Sequence, residues 1–113
     1  MAPKLVNAIS YFVANCPYVL STQDLVTKTR IQLDKGYFLD LFYNETLSKY
    51  SYTLILSDQR IVGWDNAPHH PGLTSFPHHF HAEDGAIQPS SFIGNPEQDI
   101  EQVVKTINAI IAR

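Results

Sequence analysis

Cysteine is nearly absent. The 113 residues contain one, Cys16, so no internal disulfide can brace the chain and stability has to come from a packed core. Cys16 precedes Pro17, which biases it toward extended backbone and marks where an opening helix stops. With no histidine near it in sequence, it reads as a small buried side chain rather than a nucleophile. Charge is also sparse, at 17% of residues against 44% hydrophobic. Such a globular composition leaves neutral surface that a partner or a further copy could cover. Positive charge in excess is missing too. The net charge of −3 with neutral histidines excludes a broadly basic nucleic-acid-binding face, so any RNA contact must be local. No cationic start leads into an apolar core, and no apolar run approaches about 18 residues, so secretion and membrane spanning lack support and a cytoplasmic protein is expected. The length fits one domain, 1–113, with a modest core.

What the chain does contain is patterned. In residues 3–14, Pro3 suits a first helical turn, and Leu5, Val6, Ile9, Phe12 and Val13 form one stripe. The run "LVTKTRIQL" alternates Leu25, Thr27, Thr29, Ile31 and Leu33 against Val26, Lys28, Arg30 and Gln32, the period of a half-buried strand. "DKG" offers a turn into a second strand, "YFLDLFY". "YSYTLIL" places Tyr50, Tyr52, Leu54 and Leu56 on one face, and "SDQ" turns into "RIVGW". At the other end Asn95 can cap, Pro96 fits the first helical position, and Gln98 stands where a capping box needs it. Ile100, Val103, Val104, Ile107, Ile110 and Ile111 then follow at helical spacing. These signals predict an α+β fold, an antiparallel sheet of about four to five strands with N-terminal and C-terminal helices packed on it. Trp64, Tyr50 and Tyr52 are expected in the core rather than as base-stacking residues.

Every histidine falls in "DNAPHHPGLTSFPHHFH", residues 65–81: His69, His70, His78, His79 and His81. The connection from 65 to 91 is too long for an ordinary loop, so "PHHFHA" is expected to be pinned down as an extra strand. Extended backbone there turns His79 and His81 to one side and His78 and Phe80 to the other. The expected division buries Phe80 with His78 beside it and leaves His79 and His81 facing a groove with His69 or His70. Three readings stand open. Metal-independent RNA cleavage would use two imidazoles as acid and base, with Asp65 orienting one and Lys28, Arg30 or Lys49 binding phosphate. A zinc-like transition metal would use three imidazoles with Asp65, Glu83 or Asp84, although the spacing matches no strong ligand motif. In a structural reading the rings only seal a sheet end and hydrogen-bond loop carbonyls, while Asn66 starts the turn before Pro68.

The combination of "YSYTLI" with "RIVGWDNAPHHPGLTSFPHHFH" and flanking helices resembles the TumE-like family of small toxin-antitoxin proteins, long classed as a domain of unknown function. The resemblance covers nearly the whole chain. It implies a toxin encoded beside a helix-turn-helix antitoxin, with RNA cleavage as the implied activity; the metal-independent reading of the residues needs no cofactor. The shared positions are Asp65, Asn66, His69, His70, Pro77, His78, His79 and His81, and the site expected is Asp65 with the five histidines. Two positions depart: Phe80 stands where the family often has lysine, removing one candidate phosphate contact, and Thr53 where a histidine is often found. The alternative is a non-enzymatic binding module with a structural or metal-binding histidine loop.

Overall fold

A computed structural model describes residues 2–113. The chain runs α1 (Pro3–Asn15), β1 (Val19–Asp24), β2 (Thr29–Leu33), a 3-10 turn at Asp34–Gly36, β3 (Phe38–Asn44), β4 (Lys49–Leu56), β5 (Gln59–Asp65), β6 (His79–His81), β7 (Ile87–Pro89) and α2 (Pro96–Ile111). All strands form one sheet in sequence order, each antiparallel to the next. The α+β class is as expected, but the sheet has seven strands, not four to five.

Both helices serve one face of the sheet. Thr29, Ile31 and Leu33 of β2, Tyr50, Tyr52 and Leu54 of β4, and Val62 and Trp64 of β5 are buried, as are Leu5, Ala8 and Phe12 of α1 and the whole predicted stripe of α2. Alternation therefore sends Arg30, Phe38, Phe42, Ser51 and Asp65 to the opposite, helix-free face. Cys16 is buried in the core, and that burial pushes its thiol above the ordinary range.

The corrections to the strand count have local causes. Residues 25–33 are not one strand, because the chain turns at Leu25–Lys28, where Val26 is 95% exposed with φ +74° and Asp24 accepts its amide. The segment before that turn, β1, pairs along β2 but carries mostly exposed side chains, so no alternation announced it. At the far edge β7 has only three residues and ends on Pro89, too short for a periodic signal. In the "DKG" turn both Lys35 (φ +62°) and Gly36 (φ +84°) are left-handed. The turn puts Lys35 Nζ 2.6 Å from the Ile111 carbonyl, a cation on an unsatisfied helix C-terminus. Asn95 caps α2 by accepting the Glu97 amide, but the backward bonds come from Asp99, which accepts from Ile93 and Gly94, rather than from Gln98.

On the open face Asp40 is buried between two cations, accepting Arg30 Nε at 2.9 Å and Lys28 Nζ at 2.8 Å. Burial alone would raise its carboxyl; the bonds from Arg30 and Lys28 outweigh that and hold it below the ordinary value. A depressed carboxyl contributes its stability above the unfolded-state pKa and loses it as pH falls through the folded one. Asp40→Asn is expected to cost about 2 kcal/mol at neutral pH. In urea titrations that difference from wild type should shrink as pH drops below about 4; a difference that stays constant into acid would remove the ion cluster from the account.

Candidate functional site

The site is built by a register. β6 pairs with β5 so that Asp65 faces His79, Trp64 faces Phe80 and Gly63 faces His81. On one sheet face a directly opposed pair and its diagonal neighbour are within side-chain reach, so Asp65 meets His79 across the ladder and His81 on the diagonal. Gly63 presents no side chain opposite His81. The β6 segment is fastened on its approach by Ser75, whose Oγ donates to the His78 carbonyl and accepts the Ser90 amide.

The resulting contacts are close. Asp65 Oδ1 lies 3.0 Å from His79 Nε2, and Asp65 Oδ2 lies 3.0 Å from His81 Nε2. The two Nε2 atoms are 3.1 Å apart. His79 Nδ1 lies 3.0 Å from the Pro77 carbonyl, and because a carbonyl only accepts, that nitrogen carries a proton. In a neutral His79 the other nitrogen, Nε2, is then a lone pair pointed at a carboxylate oxygen. A proton on His79 or on Asp65, the His81 Nε2–H turned toward His79, or a metal ion would each satisfy that lone pair. For His81, burial lowers the imidazole below its ordinary value against the raising bond to Asp65. Its Nε2–H is the donor to Asp65, which leaves Nδ1 buried without a partner. His70 stands edge-on to His79, with ring centroids 4.8 Å apart.

The structure thus brings together four of the six side chains expected at the site: Asp65, His70, His79 and His81. His69 is exposed on the rim of the same cavity. His78 stands apart on the core face, where Tyr50 Oη lies 2.8 Å from its Nδ1 and the rings stack. Burial, followed by the charges of Asp99 and Asp65, holds the Tyr50 phenol above its ordinary value, so it is the donor in that bond. Phe80 also faces the core and packs on Trp64 at 5.1 Å; its departure from the family pattern therefore takes no cation out of the cavity. Glu83 and Asp84 are not ligand neighbours. Glu83 pairs with Arg113, and Asp84 accepts the Ala86 amide. Lys28 and Arg30 are occupied by Asp40, while Lys49 lines the cavity.

That cavity, about 500 Å³, opens on the helix-free face and is lined by the cluster together with Phe42, Lys49, Ser51 and Arg60. Arg60 escapes a sequence reading because of a bulge. Val62 and Trp64 face the core, and strict alternation would send Arg60 there too. The register shift between Leu54 and Ile55 instead pairs Ile55 with Arg60, on the open side. Its stem lies across Gly63, where an added Cβ would meet Arg60 Cδ at 3.2 Å and the Tyr52 carbonyl at 3.3 Å.

Asn66 does more than start a turn. The turn bond to the Ala67 amide comes from Asp65 Oδ1, whereas Asn66 accepts the Tyr50 amide at 3.1 Å and donates to the Ser48 carbonyl at 2.7 Å. It clips the exit of β5 to the entry of β4. Asn66→Ala is expected to cost about 1–2 kcal/mol, lowering the thermal midpoint by roughly 5–10 °C; an unchanged melting curve would show that the clip contributes nothing.

Comparison with known proteins agrees with the resemblance. The family model described as Toxin TumE matches residues 9–111. No curated protein and no solved structure matches the chain. With a match spanning the second half of α1, the whole sheet and α2, the chain belongs to the TumE toxin family.

Proposed function

We propose that this toxin is a histidine-dependent endoribonuclease, a single-domain cytoplasmic protein held in check by a helix-turn-helix antitoxin. One observation carries the reading: the Asp65, His79 and His81 contacts, with His70 beside them, lie in an open cavity that also holds Arg60 and Lys49. Cleavage through the RNA's own 2′-hydroxyl needs a base, an acid and a cation. Among the described residues the His70 ring has no hydrogen-bond partner, and it serves as the base that takes the 2′-hydroxyl proton. The O2′–P bond forms as the P–O5′ bond breaks, and the proton shared within the Asp65 cluster passes to O5′. The products are a 2′,3′-cyclic phosphate and a 5′-hydroxyl, and Arg60 with Lys49 offsets the charge on phosphorus.

A second reading is favoured by the same convergence. One ligand atom from each of Asp65, His79 and His81 lies within 4.8 Å of the others, and the second nitrogen of His79 is bound to a carbonyl, as in metal-ligating histidines. A zinc-like ion with two imidazoles and one carboxylate fits that donor set. It would act as a Lewis acid on the phosphate.

The test is cleavage of single-stranded RNA by tag-free protein, with elemental analysis alongside. Asp65→Asn and His70→Ala are each expected to lower the rate by about 100-fold or more, and growth arrest on expression should disappear with them. Activity that persists in EDTA, with no bound metal, supports the proton-bridged cluster; one zinc-like ion per chain, lost in Asp65→Asn together with activity, supports the metal. Full RNA cleavage by both variants would overturn the assignment of the site.

A further inference from the structure

The cations of the open sheet face divide into two groups. Lys28 and Arg30 are neutralised by Asp40, and the Arg30 guanidinium also covers the Phe38 ring at 4.0 Å. Elsewhere Lys4 pairs with Glu45, Lys35 with α2 carbonyls and Arg113 with Glu83. Among the described residues Lys49, Arg60 and Lys105 make no ion pair; Lys105 lies on α2, away from the open face, and the other two line the histidine cavity. A chain with net charge −3 therefore leaves two of its three unpaired cations on this face beside the cluster. Phe42 shares the cavity and, unlike Phe38, its ring has no aromatic or cationic partner among the described residues. Pairing aligns Phe42 with Ser51, Ser51 with Asp65 and Asp65 with His79, one row across four strands. Three interstrand spacings of about 4.8 Å put Phe42 roughly 14 Å from His79 along that row.

From this layout we infer that the open face is a platform for single-stranded RNA, with one unpaired base stacked on Phe42 and the adjoining phosphates held by Arg60 and Lys49. This rests on the endoribonuclease reading and adds its substrate class. An aromatic face takes a base of any identity once it is unstacked, and free cations track the backbone. A paired base is already stacked within its helix and cannot offer its face to Phe42. The bulge that turns Arg60 outward and the bare Gly63 beneath its stem set the phosphate contact next to His81. Strand selectivity thus comes from the sheet, and the chemistry from the histidines.

The test uses a fluorescent 2′-O-methyl RNA 12-mer, which lacks the attacking hydroxyl, and anisotropy with the wild-type protein. Single strand should bind at least tenfold tighter than the same sequence in duplex. Phe42→Leu and Arg60→Gln should each weaken binding by roughly tenfold, and Arg60→Gln should also flatten the log–log salt slope by about 0.7. Phe42→Tyr should retain binding. Lys105→Gln, on the helical side, is the neutral control, and thermal melts establish that each variant is folded. Cleavage of unmodified RNA with wild-type binding by Phe42→Leu and Arg60→Gln, or with duplex preferred, would overturn the platform and leave the nuclease reading intact. A folded wild-type protein that neither binds the 12-mer nor cleaves RNA would overturn both.

Discussion

One carboxylate organises the histidine segment. Asp65 ends β5, and each of its oxygens faces an imidazole nitrogen at 3.0 Å while Oδ1 also accepts the Ala67 amide. The same side chain therefore fixes where the chain leaves the sheet and where it returns as β6. A half-buried carboxylate facing two ring nitrogens is costly unless protons or a metal ion sit between them. That requirement makes the cluster a place that holds a shared proton or a metal ion rather than a passive set of side chains. Opposite it, His78 and Phe80 fasten the three-residue strand to Tyr50 and Trp64. β6 is thus anchored from both faces, which a strand this short needs to hold two imidazoles in place.

The two faces of the sheet do different work because the helices share one of them. The core lies between α1, α2 and the inner side chains of the strands, so stability is met there and the outer face is free to carry polar groups. Asp40 gathers two of that face's cations at one end. At the other end Arg60 and Lys49 face the cavity with the histidines. An overall acidic protein can in this way present a small basic surface, as local recognition of a polyanion requires.

The helices were legible because their apolar stripes and prolines are local signals: Pro3, Pro96 and the Ile100 to Ile111 pattern correspond to α1 and α2. Of the three central strands, β4 was legible from alternation, and β3 and β5 from the turn signals "DKG" and "SDQ" that precede their apolar runs. β1 was not, since an exposed edge strand has no buried face to produce a period, and the turn at Val26 interrupts what reads as continuous alternation. Within the candidate site, alternation alone separates His79 and His81 from His78. The nearness of Asp65 depends on the β5 to β6 register, which no local pattern encodes. Arg60 was hidden for a related reason: a bulge reverses the facing that its sequence parity implies.

Histidine side-chain ¹⁵N NMR of the isotopically labelled protein tests the organising role of Asp65 most directly, because it reports which ring nitrogens carry protons. The account predicts that His79 holds a proton on Nδ1, where Pro77 accepts it, that the Nε2 signals of His79 and His81 are both displaced from solvent-exposed values, and that Asp65→Asn moves the two together. Rapid tautomer averaging at His79 and His81, unchanged by Asp65→Asn, would contradict it.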